Sequence, residues 1–195
     1  MAKVLLGVTG SVAAIYTQDL FADLRQAGHD VKIVATRSAL YFFDPLAVEP
    51  TPEGERNRDV VVLDEDEWPG HRYQRGDPVM HIELRRWADV LLIAPCDANT
   101  LAKLALGISD NCLTCIYRAW DRTRPVILAP AMNTLMWEHP ATERHLTQLT
   151  ADLRSALHVI APITKKLACE DVGVGAMAER AEIAFRLSMV LPPPD

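Results

Sequence analysis

The chain has 195 residues, 49% of them apolar, which is enough for one well-buried core and too short for two ordinary domains joined by a linker. Its formal charge of -6, with no run of Lys and Arg beyond short pairs, argues against a duplex-binding face and so against nucleic acid as a partner. The opening apolar run is interrupted by Gly7 and Gly10, so neither a signal peptide nor a membrane span is expected, and the four cysteines fit free thiols in the cytoplasm.

Lys3 to Val8 is a short apolar run. It is followed by Thr9-Gly10-Ser11 and by Ile15, Leu20, Phe21, Leu24 and Ala27 at helical spacing, closed by Gly28. Val31 to Ala35 is β-branched, so the first 35 residues read as a βαβ unit with a parallel pair. Residues 49–59 (EPTPEGERNRD) are rich in proline and charge and read as an exposed loop. Ala88 to Ala94 reads as a buried strand ending at Pro95, and Ala98 to Leu106 as a helix. A second such pair is expected at Pro125 to Ala129 and near Glu143 to Leu149, with a weaker strand at His158 to Ala161 and a closing helix at Ala178 to Val190. Strands alternating with helices predict an α/β fold, a single-domain doubly wound parallel sheet in a three-layer sandwich of the flavodoxin-like or Rossmann-like kind. Ligands of such sheets bind beyond the carboxyl ends of the strands.

Polar groups cluster after three of those strands. Gly7-Val-Thr-Gly10-Ser11 sits where a strand enters a helix, so its N–H groups could hold a phosphate. It lacks the third glycine of a dinucleotide fingerprint and the lysine of a P-loop, and a packing turn explains it equally well. Thr36 and Ser38 follow the second strand, and Asp97-Ala98-Asn99-Thr100 follow the central one. Together the three point to a phosphorylated ligand. His81 precedes the central strand, where a lone histidine is more often structural than catalytic. Cys112 and Cys115 look like a metal or redox pair, but no second pair or histidine stands at ligand spacing, so they read as packing on one helix face and no metal site is expected. In Pro130-Ala131-Met132-Asn133, Asn133 could hold a carboxylate through its NH2 group, with Met132 and Met136 as a soft apolar wall; the same residues also suit an ordinary helix start.

Several stretches in combination carry a resemblance. GSVAA (10–14), HIELRRWADVLLIAP (81–95), ANTLAK (98–103), DNCLTC (110–115), RAWD (118–121), PAMNTLMW (130–137), KKLAC (165–169) and GAMAE (175–179) span most of the chain. Their order and spacing resemble the phosphopantothenoylcysteine decarboxylases, within the flavin-containing cysteine decarboxylase superfamily. The resemblance implies one FMN-binding domain over residues 1–195, with a substrate-covering flap at 162–178. It implies His81 and Cys169 as catalytic groups and Asn133, Met136, Arg86 and Lys166 around the substrate. Gly10, Ser11, Val12, Thr36, Ser38, Phe42, Asp97, Ala98, Asn99, Thr100 and Met132 would hold FMN. It further implies a homotrimer, or a higher assembly of trimers, with sites shared between neighbours. Two departures stand out. Glu170 follows Cys169 where glycine is expected, and a non-glycine residue at positive φ costs roughly 1–2 kcal/mol. Cys96 and Cys112 stand where the family commonly has leucine and read as apolar fillers.

The implied reaction converts 4'-phosphopantothenoylcysteine to 4'-phosphopantetheine through a thioaldehyde and an enethiolate. Direct CO2 loss from a cysteine carboxylate has no electron sink; oxidation to a C=S group places one β to the carboxylate. Protonating the enethiolate needs a donor, a role that fits Cys169. The alternatives are an oxidative decarboxylase of peptidyl cysteine, which needs no such donor, an FMN-binding regulatory subunit and a flavodoxin-like electron carrier. Trp68 and the acidic stretch Asp64 to Glu67 could cover either substrate.

Overall fold

A computed structural model of the chain describes residues 1–166 and 172–191. In chain order it runs β1 (Lys3–Val8), a 3-10 turn (Val12–Tyr16), α1 (Thr17–Gln26), β2 (Asp30–Ala35), β3 (Val61–Leu63), α2 (Asp64–Glu67), α3 (Met80–Trp87), β4 (Val90–Cys96), α4 (Ala98–Leu106) and α5 (Cys112–Arg118). It continues with β5 (Val126–Pro130), α6 (Thr134–Trp137), α7 (Pro140–Leu153), β6 (Leu157–Val159), β7 (Ile163–Lys166), β8 (Val172–Ala176) and α8 (Arg180–Val190).

Six strands form one parallel sheet in the order β3-β2-β1-β4-β5-β6. This is the Rossmann order of the two doubly wound alternatives, in which the chain reverses its direction of winding between β1 and β4. The crevice at the carboxyl ends of that pair is therefore the favoured ligand position.

The sheet strands are largely apolar because both faces are covered, with Lys3, Asp30, Lys32 and His158 as the polar exceptions. Alternate residues divide between two cores. Val4, Leu6, Val90 and Leu92 pack with Leu20 and Leu24 of α1 and Ile183 and Leu187 of α8. Leu5, Leu91 and Ile93 pack with Leu101 of α4, Leu113 and Ile116 of α5 and Leu149 of α7. Each such side chain contributes about 1.5–3 kcal/mol by leaving water. Cys96 and Cys112 are fully buried among these residues, and burial pushes both thiols far up, so they fill space and are not nucleophiles.

Details differ from the sequence expectation. The first helix begins as a 3-10 turn capped by the Ser11 hydroxyl and becomes α-helical only at Thr17. β3 was not expected, and it pairs in parallel with β2 as the edge strand. Residues 163–176 contain an antiparallel pair, β7 with β8, separate from the main sheet. Among the described residues no helix is long and apolar enough to cross a membrane.

Candidate active site

Three loops meet beyond the carboxyl ends of β1, β2 and β4. Thr9 joins two of them: its buried hydroxyl donates to the Pro95 carbonyl at 2.8 Å and accepts from the Asp97 amide at 2.7 Å. Asp97 caps α4 by accepting from the Thr100 amide at 2.7 Å. Gly10 lies so close to the third loop that an added Cβ would stand 2.6 Å from Ser38 Oγ and 3.2 Å from Asp97 Oδ2. Only glycine allows that approach. Ser38 Oγ in turn lies 3.1 Å from Thr36 Oγ1.

A cavity of about 350 Å³ opens at this junction. Gly10, Ser11, Val12, Phe42, Asp97, Ala98, Asn99, Met132, Asn133 and Met136 line it, together with Ala131 and Gly175. A more polar hollow of about 490 Å³ adjoins it through Asn99 and contains Thr36, Ser38, Thr100, Lys103 and Asp110. The residues that the sequence assigns to a flavin are therefore shared between two neighbouring spaces, one walled by apolar side chains and one by hydroxyls, amides and charge. That division suits a flat aromatic group attached to a phosphate. Asn133 stands at the start of α6, where its Oδ1 accepts from the Leu135 amide at 2.8 Å, so the cap fixes the side chain at the cavity wall.

The remaining expected residues lie elsewhere. His81 is on α3, with its side chain 24% exposed, and does not line the cavity. Arg86 is on the same helix, exposed, and does not line it either. Lys166 ends β7, and its side chain, like Cys169 and Glu170, lies outside the described residues.

Within the acidic stretch 64–67, Asp64 lines the polar hollow, Glu65 is exposed, and Asp66 and Glu67 are buried against partners of their own. Asp64 Oδ1 accepts from the Cys112 amide at the start of α5, at 3.0 Å. Burial pushes Asp64 up against the opposing hydrogen bonds from the Cys112 and Arg37 amides. Asp66 takes both guanidinium nitrogens of Arg56, the longer contact being 3.0 Å, and the Leu63 amide at 2.8 Å. Burial works against its ionisation, but those hydrogen bonds win and hold Asp66 below the usual carboxylate range. Glu67 Oε2 accepts from the His81 backbone amide at 2.7 Å, and its Oε1 lies 2.5 Å from His81 Nδ1. Trp68 is about half exposed. Sequence reasoning missed the role of Glu67; an acidic run ahead of a histidine was the available signal.

The flavoprotein family model matches residues 1–190. A phosphopantothenoylcysteine decarboxylase of Arabidopsis thaliana is 51% identical over 177 residues, covering 91% of this chain and 79% of the relative. The chain belongs to this flavoprotein family of phosphopantothenoylcysteine decarboxylases. Among solved structures, a cysteine-to-serine variant of PPC decarboxylase complexed with pantothenoylaminoethenethiol superposes with a TM-score of 0.84 at 49% identity, over 96% of this chain and 97% of that one. The FMN binding protein AtHal3 superposes at 0.79 with 50% identity, over 96% and 95%. Family members thus include a flavin binder and an enzyme that holds an enethiol.

Proposed function

We propose that this chain is an FMN-dependent decarboxylase that converts 4'-phosphopantothenoylcysteine to 4'-phosphopantetheine in coenzyme A biosynthesis, in the cytoplasm. The carrying observation is the close relation to a decarboxylase structure that holds pantothenoylaminoethenethiol, an enethiol of the kind the reaction passes through. The cavity at the β1–β4 reversal supports FMN. Phe42, Val12 and Met132 would wall its ring, and Ser11, Thr36, Ser38 and the start of α4 would hold its phosphate. When bound, FMN supplies the electron sink that a cysteine carboxylate lacks, accepting two electrons and later returning them.

The protein groups do the rest. Asn133, held by its cap, binds the substrate carboxylate, and Met132 and Met136 keep water from it. His81 moves the proton at the sulfur end, and Cys169 protonates the enethiolate carbon. His81 and Asn133 stand apart in one chain, which supports the shared sites of a homotrimer.

Two measurements test the reading. Heat extraction should release FMN, and FAD or a colourless, non-binding protein would refute the cofactor. Incubation with phosphopantothenoylcysteine should give the saturated thiol by mass, whereas release of an enethiol from a Cys-terminal peptide alone would favour the peptide reaction.

A further inference from the structure

Glu67 is an unusual carboxylate. Its side chain is 4% exposed, and among the described residues no lysine or arginine pairs with it. It is instead met by the amide and ring of His81 and by the Cys112 thiol. Oε1 faces His81 Nδ1 at 2.5 Å, while Oε2 accepts from the His81 amide at 2.7 Å and from the Cys112 thiol at 3.7 Å. Cys115 is a further ionisable neighbour, and Asp64 meets the same Cys112 from its backbone side.

A carboxylic acid is a stronger acid than an imidazolium, so the one proton that Oε1 and Nδ1 share is assigned to the ring nitrogen. In a neutral imidazole this leaves Nε2 as the acceptor. Because the same carboxylate holds both the backbone and the ring of His81, it also fixes the ring's rotation. Capping the first turn of α3 would explain the amide contact alone and not the ring contact.

We propose that Glu67 is the positioning residue for His81: it holds the proton on Nδ1 and leaves Nε2 as the nitrogen that exchanges a proton with the substrate. This rests on the reading of His81 as the acid–base group. Glu67→Gln separates the positioning role from simple capping. Its carbonyl oxygen still accepts from the amide and the thiol, but its NH2 group now faces Nδ1, which must accept, so the ring proton moves to Nε2.

The test uses FMN-loaded protein labelled with 15N in the histidine rings. Long-range 1H–15N correlations show which ring nitrogen is protonated, and loss of one set in His81→Asn assigns His81. The parent should show a protonated Nδ1. Glu67→Gln should reverse the pattern and lower kcat for phosphopantothenoylcysteine about 10- to 100-fold, as loss of an orienting carboxylate does elsewhere, with KM little changed. An unprotonated Nδ1 in the parent, or a Glu67→Gln kcat within about twofold of the parent, overturns the proposal. The parent spectrum decides it even if the variant does not fold. Full activity in His81→Asn would instead remove the reading of His81 itself, and it is seen separately.

Discussion

Gly10 has no side chain because Ser38 occupies the space one would need. Gly10→Ala forces Ser38 off its place beside Thr36, and overpacking of this kind typically costs about 1–3 kcal/mol. The expected result is a folded protein whose FMN affinity falls about tenfold or more, read from flavin absorbance after dialysis. His81→Asn should behave oppositely, retaining FMN while turnover falls about 10²- to 10⁴-fold. Cys169→Ser should still release CO2 but stop short of the saturated thiol, because a serine hydroxyl is far too weak an acid to stand in for a thiol. Its product would be about two mass units lighter, by the two hydrogens not returned. At this scale the sequence told much: the glycine and hydroxyl positions carry their chemistry in their own identity. Glu67 did not, because its meaning lies in a partner 14 residues away that only the packing of α2 beside α3 brings to it.

At the scale of elements, α2 is four acidic residues in succession, and three of them have separate tasks. Arg56→Met leaves Asp66 buried with only exposed Arg58, at 3.6 Å, as a cation and should cost about 3 kcal/mol in urea unfolding. The pH dependence follows from the direction of the Asp66 shift. Its folded value is depressed, so its contribution is present above the unfolded carboxylate value near pH 4 and fades as pH falls through the folded value. The gap between parent and Arg56→Met should therefore narrow below about pH 4. β3 and α2 escaped sequence reading for a physical reason. A three-residue strand is too short to show a period, and a wholly acidic helix has no apolar face to show. β1, β4 and β5 were legible because burial on both faces makes them nearly continuous apolar runs, and β2 because Val31, Ile33, Val34 and Ala35 are buried around a partly exposed Lys32.

For the whole molecule, the separation of His81 from the cavity that holds Asn133 makes a prediction about assembly. If neighbouring chains complete each other's sites, His81→Asn and Asn133→Ala chains, each inactive alone, should regain activity when refolded together. Sedimentation should show three chain masses; an active monomer would rule out shared sites. The fold class was legible from the alternation of strands and helices. The strand order was not, since β3-β2-β1 and β4-β5-β6 winding depends on which side each crossover takes, and local sequence does not carry that.

The β7–β8 pair is joined to the rest of the site by its backbone. Gly175 accepts from the Met132 amide at 2.9 Å, and a Cβ at Gly175 would stand against the Met132 carbonyl. With φ at +153°, Gly175→Ala should disrupt this seam and expose the Met132 amide to hydrogen exchange. Gly173 meets Thr134 just as closely. For anyone recombining relatives of this chain, residues 130–137 and 163–176 are thus a single unit of inheritance. A chimera that takes the hairpin from one parent and the wall from another keeps this junction only where glycine stands at both 173 and 175.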